Sequence, residues 1–323
     1  MAVLCEFPNH ALAAERKKPA PAEERRYALK GENLKEKHPY FIEAAKEIDV
    51  LTLEGFFGNA AKELTLSRET LDQAQFFSAC IDNWLQDDNQ YGKAEVKKLI
   101  FIFLKLYAVS IQSGGQNAIN SITHFLMGNP ENPETECLSS FTEFLRLHVE
   151  AKNYIHQIKG KLTVSSSEKK KLGGALSIAY SKGVELISKL LTTCITLLEI
   201  SKSLEVNASK TYNLTLWQKV KRFKELSDGN FGEIIQSIDR DIRNADAHLN
   251  LWFSPEKGVF RYKVKEGKRL KSKEISSEEF LLNKYPKIGW VSQGFIYSAI
   301  LLILAHLDQG LFKSKIQEIM DIA

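Results

Sequence analysis

The sequence predicts a mainly α-helical chain: a helical bundle in the C-terminal half with one small inserted β-hairpin, preceded by an α-helical N-terminal domain. Three observations predict it. Apolar residues recur at three-four spacing through most of the chain after Pro39, which is the pattern of helices that bury one face. No β-α-β alternation and no internal repeat is visible. Period-two alternation is confined to Gly258-Val259-Phe260-Arg261-Tyr262-Lys263-Val264 and to the residues after Glu266-Gly267, which read as two strands joined by a turn. With 323 residues, 44% of them hydrophobic and 26% charged, the chain has the composition of an ordinary globular protein and enough length for two domains.

Taken in order, residues 1–38 carry Pro8, Pro19 and Pro21 among clusters of mixed charge, and a loosely ordered arm is expected there. Residues 39–160 are expected to form a helical domain whose role no motif reveals. Phe41, Ala44, Ala45, Ile48 and Leu51 line one helix face. Ser67 offers an N-cap for a helix carrying Ala74, Phe77, Cys80 and Ile81. A strongly apolar helix spans 94–110 and breaks at Ser113-Gly114-Gly115, and a loop rich in Pro and Asn (128–133) precedes a helix over 138–158.

Residues 161–174 hold three serines, three lysines and Gly173-Gly174 with almost no apolar periodicity, and read as a linker. The second domain, 175–323, opens with a long helix over 175–204 whose buried stripe is Ile178, Val184, Ile187, Leu190, Leu191 and Leu198. Helices over 214–226 and 232–251 follow, then the hairpin. Ser276-Ser277-Glu278-Glu279 begins a last helical region, divided by Pro286 and Gly289.

Several function classes drop out. Cys5, Cys80, Cys137 and Cys194 are far apart and match no metal-ligand spacing, so they read as reduced thiols of a cytoplasmic protein. His148 and His156 lie eight apart on one helix with no carboxylate or thiol at a ligating offset, and neither a metal nor a cofactor is expected. Ser113-Gly114-Gly115-Gln116 lacks the Gly-Lys-Ser of a phosphate loop. The most apolar runs, 99–109 and 296–307, are shorter than the ~20 residues a bilayer demands, and Glu6 and Pro8 interrupt any signal-peptide core, so no membrane partner is expected. A net charge of +4, from 44 basic and 40 acidic residues, permits a polyanionic partner without requiring one.

One constellation carries chemistry. In Asp241-Ile242-Arg243-Asn244-Ala245-Asp246-Ala247-His248, a histidine follows an arginine by five positions, and no other arginine has a histidine four to seven positions downstream. On a helix, Asn244 and His248 stand one turn apart on one face, and Arg243 reaches the same edge with its long side chain. Ala245 and Ala247 leave room for another helix to approach. Such a set suits metal-free cleavage of RNA. Histidine moves protons near neutral pH. Arginine offers a fixed fork of donors to phosphate oxygens, and asparagine orients the imidazole or donates to the phosphate. The competing reading of His248 is a helix-end residue capping carbonyls ahead of Pro255.

The run Ile242-Arg243-Asn244-Ala245-Asp246-Ala247-His248 resembles the signature of the HEPN superfamily, in which arginine, commonly a polar residue, and histidine lie four to six residues apart. The resemblance covers 175–323 and extends to the order long helix, second helix, motif helix, hairpin, final helix. It implies a helical bundle that dimerises through its motif helices into a metal-independent endoribonuclease leaving 2′,3′-cyclic phosphate ends. Such proteins act in toxin–antitoxin, CRISPR or abortive-infection defence, so RNA, a second copy of the chain and an antitoxin or regulatory protein are the implied partners. One toxin subfamily carries a tyrosine two residues past the histidine; here that position is Asn250. A HEPN-like module that binds RNA or protein without cleaving is the alternative.

Basic residues around the motif are candidate phosphate contacts. Lys219 and Arg222 precede the motif helix, with Trp217 and Phe223 interleaved, and Arg240 opens it. Arg261, Lys263, Lys265, Arg269 and Lys273 lie on the hairpin. The competing reading for all of them is a solvated surface with the aromatics in the core.

Overall fold

In the computed structural model, the described residues are 39–322, apart from Asn89, Leu249, Lys268 and the side chain of Ala247. The arm expected over 1–38, with Cys5, lies outside them. The first six helices are α1 (Pro39–Leu53), α2 (Asn59–Ser67), α3 (Gln73–Leu85), α4 (Lys93–Gly114), α5 (Gln116–Met127) and α6 (Leu138–Ile158). Then come α7 (Ser166–Ser201), α8 (Ala208–Tyr212), α9 (Leu216–Ser227), a 3-10 turn (Gly232–Ile235) and α10 (Arg240–Ala247). Strands β1 (Leu251–Ser254), β2 (Val259–Glu266) and β3 (Arg269–Ser276) precede a π turn (Phe280–Lys284), α11 (Tyr285–Leu307) and α12 (Gln309–Met320). The chain is mainly helical with one small antiparallel sheet.

The expected linker is not a break in the fold. Ser165 accepts from the Glu168 backbone N–H while the Glu168 carboxylate accepts from the Ser165 N–H, a reciprocal cap that starts α7 nine residues before the expected helix. The lysines at 169–171 are exposed on its first turns, and Leu172 and Leu176 are already buried. α7 then runs 36 residues as the spine, touched by α4, α5, α6, α9 and α11. Helix α11 packs on α3, α4 and α7, so helices from both halves of the chain close one hydrophobic core. Gly294 lets α11 come close to α4, since a Cβ there would stand 2.6 Å from Leu99 Cβ.

Several expectations hold residue by residue: Phe41, Ala44, Ala45 and Ile48 are buried, and α6 has the expected ends. Others do not. Ser67 ends α2, and the cap of α3 is Asp72, paired reciprocally with Gln75. Ile178 is half exposed, because the buried face of α7 turns through Leu176, Ala179, Tyr180 and Val184 instead. Gly289 lies inside α11 and does not divide it, whereas just before Pro286 the last helical region passes from the π turn (Phe280–Lys284) into α11. The stretch Ser277–Leu307 is long and apolar enough to cross a bilayer, with 72% of its most apolar window buried in the core.

The sheet has three strands in the order β1-β2-β3. Pairing sets Phe253 against Phe260 and Phe260 against Ile275, and Phe260 is fully buried. β1 docks on α7 where Gly173 leaves space for Phe253; a Cβ there would come within 2.5 Å of the ring. The sheet thereby fixes one wall beside α10.

Candidate functional site

The helix expected over 232–251 is shorter at both ends. Its start is set by Asp239, whose Oδ1 accepts from the N–H groups of Asp241 and Ile242 at 3.1 and 3.2 Å. Tyr180 on α7 holds this cap: its hydroxyl accepts from the Asp239 N–H at 2.9 Å and donates to the Ser237 carbonyl at 3.1 Å. Lys284 pairs with the other Asp239 oxygen at 2.9 Å. The end comes at His248, the C-cap, whose N–H donates to the Asn244 carbonyl at 3.2 Å. The Asn250 carbonyl then accepts from Lys263 N–H on β2 at 3.1 Å, which draws the chain into the sheet. Tertiary pairing, not local propensity, stops the helix.

Ile242 and Ala245 are buried at 0% and 2% exposure and anchor α10 on the spine and the sheet. By the 3.6-residue period, Arg240, Arg243 and Asn244 then share the opposite side within an arc of about 100°. Arg240 is exposed, Arg243 and Asn244 are half-buried, and His248 is exposed at the end of the helix. These residues are thus brought to one solvent-facing edge. Ala245, expected to lower the wall beside the imidazole, is instead a core contact.

Arg243 is engaged on two sides. Its Nε donates to Glu185 Oε1 at 2.7 Å, with Nη2 on the same oxygen, and its Nη1 donates to Asn244 Oδ1 at 3.1 Å. Asp246 accepts from Ser177 Oγ at 2.7 Å, a bond that ties α10 to α7 and gives it a structural use instead of a free surface charge. Asp241 pairs with Lys273 of β3 at 2.8 Å, which holds the Lys273 ammonium above its usual range. Glu185 was not among the expected site residues, and Lys273, one of the hairpin cations expected to face phosphate, is instead paired with Asp241. The signal for Glu185 was its helical phase, since it shares the exposed face of α7 with Ile178 and Lys182. Lys273 is reached only through the register of β2 and β3.

The flanking cations divide sharply. Lys219 is not a phosphate contact: it is buried at 4% exposure, donates to the Ser188 carbonyl at 3.2 Å, and lies 5.4 Å from the Tyr212 ring centroid. Burial pushes its ammonium down to about 8. Arg222 is drawn to the buried Glu199 at 3.1 Å. Lys221 and Lys224 face solvent in their stead. Arg240 stacks its guanidinium over Trp217, 4.9 Å from the ring centroid. On the sheet, Arg261 stands 2.7 Å from Glu274, whereas Lys263, Lys265 and Arg269 are exposed. Neither His148 nor His156 belongs to a ligand set. His148 Nδ1 and the Tyr285 hydroxyl share a hydrogen bond at 2.7 Å, burial lowers the imidazole to about 4, and His156 is exposed. No group of three or more metal-ligating side chains occurs among the described residues.

Compared with known proteins, the chain matches no family model, no curated protein and no solved structure.

Proposed function

We propose that the protein is a metal-independent endoribonuclease of HEPN type, cleaving RNA by attack of a 2′-hydroxyl on the adjacent phosphorus. The observation that carries this reading is the solvent-facing edge of α10, where Arg243 and Asn244 stand beside an exposed His248. In the reaction the 2′-oxygen bonds to phosphorus and the bond to the 5′-oxygen breaks, leaving a 2′,3′-cyclic phosphate. His248 takes the 2′-hydroxyl proton, and the departing 5′-oxygen needs a proton from a second group. Arg243 neutralises charge building on the non-bridging oxygens. A twofold dimer would supply the second histidine by placing His248 of another copy at the same phosphate. Service in anti-phage defence or as a toxin, under an antitoxin or regulator, is part of the proposal on the strength of the motif.

The test is cleavage of total RNA by pure protein in EDTA, compared with Arg243→Ala and His248→Ala. Loss of about 100-fold or more in both variants supports the reading; full activity in His248→Ala overturns it. One observation favours the second reading, a non-catalytic RNA- or protein-binding dimerisation module: Glu185 already occupies the Arg243 fork. RNA binding without cleavage under any of these conditions would favour that module.

A further inference from the structure

Trp217 lies in the first turn of α9 and leaves 51% of its surface in solvent. A lone exposed ring is ordinary. What sets this one apart is its backing and its neighbourhood. The Arg240 guanidinium lies 4.9 Å from the ring centroid, a cation–π contact that joins the start of α9 to the start of α10. Lys221 and Lys224 follow Trp217 on the same exposed face, one and two turns along α9, with Glu225 3.9 Å from Lys221. Lys224 then borders a groove of about 510 Å³ shared with Asn230, Ile235 and Gln236. In the other direction α10 leads from Arg240 to His248, a rise of about 12 Å. A path of two exposed lysines thus leads to a fixed aromatic face at the start of the helix that ends in the histidine.

We propose that Trp217, held by Arg240, is a stacking platform for one unpaired base of single-stranded RNA bound along this path. The proposal rests on the RNA reading above and adds the residue that takes an unpaired base. Proteins that hold single strands combine cations that follow the phosphates with aromatic faces that take bases, and every base has such a face. In a duplex the base faces are already stacked on one another, so a platform of this kind adds nothing to the binding of double-stranded RNA and favours the single strand. Arg240 is then a positioning residue whose charge is spent on the indole, not on a phosphate.

The test uses the full chain carrying His248→Ala, so that binding is read without cleavage, and a twelve-nucleotide oligoadenylate as probe, free or annealed to its complement. Titration should quench tryptophan emission with the single strand, and Trp217→Phe should remove most of that quench while Trp84, Trp252 and Trp290 remain. Trp217→Ala should weaken single-strand binding about tenfold and leave duplex binding unchanged. Trp217→Phe, which keeps a ring, should restore most of the affinity. Equal affinity in Trp217→Ala, an unchanged quench in Trp217→Phe, a preference for the duplex, or no single-strand binding would each overturn the platform. Quenching by a protein that never cleaves would overturn the nuclease and spare the platform. Cleavage indifferent to Trp217→Ala would do the reverse.

Discussion

Glu185 and Asn244 hold the Arg243 guanidinium between them, the carboxylate at 2.7 Å from Nε and the amide oxygen at 3.1 Å from Nη1. The arrangement keeps the fork at the edge of α10 and sets a carboxylate in competition with any phosphate that approaches. Glu185→Gln should therefore raise affinity for single-stranded RNA severalfold, because it removes one negative charge and leaves only a neutral amide oxygen holding the two donors. Filter binding with the His248→Ala background measures it; an affinity equal to or below that of the parent would show that the pair only props the helix.

The sheet supplies the second test. Lys263, Lys265 and Arg269 are exposed. Replacing all three by Gln should weaken RNA binding and flatten the slope of log affinity against log salt by about 2. Cleavage at saturating RNA should persist. An unchanged slope would mean that these cations face only water.

Buried Lys219 makes stability depend on alkaline pH. Its ammonium is lowered from 10.5 to about 8 by burial. Between those values the unfolded chain binds more protons than the folded one, so this group's contribution to stability rises with pH across that window. Below about 8 both states are protonated and the penalty is constant. Relative to Lys219→Met, the parent should gain roughly 2–3 kcal/mol between pH 8 and 10.5. Denaturant titrations of both proteins across that range read the difference, and parallel curves would contradict it.

At the acid end the relevant group is His148, partly buried between Phe144 and Tyr285 and lowered from 6.5 to about 4 by burial. The unfolded chain takes up a proton there first. Stability should fall as pH drops from 6.5 toward 4, and His148→Phe should fall less steeply over the same interval, as thermal melts would record.

Much of the fold was legible because helical periodicity is local: the bounds of α6 and the buried face of α1 follow from side-chain spacing alone. What was not legible depends on distant partners. The Ser165–Glu168 cap was in plain view, yet the polar 161–174 stretch reads as a linker until Leu172 finds a core to enter. Strand β1, of which only Leu251 fell within the expected helix, exists through the pairing of Leu251–Ser254 with β2. At the site, Arg243, Asn244 and His248 could be named from their spacing. Glu185, 58 residues upstream of Arg243, could not. Lys219 and Lys221 looked alike in the sequence, and only the packing of α9 on α7 sends one inside and leaves the other in water.

The most direct measurement is the chemistry of the RNA ends produced in EDTA. A 5′-labelled single strand incubated with the pure protein should yield fragments ending in 2′,3′-cyclic phosphate, which acid opens and phosphatase then removes. His248→Ala should reduce their yield by about 100-fold or more while its fold and RNA affinity stay unchanged. Fragments ending in 3′-hydroxyl, cleavage that requires a divalent ion, or full activity in His248→Ala would contradict the account.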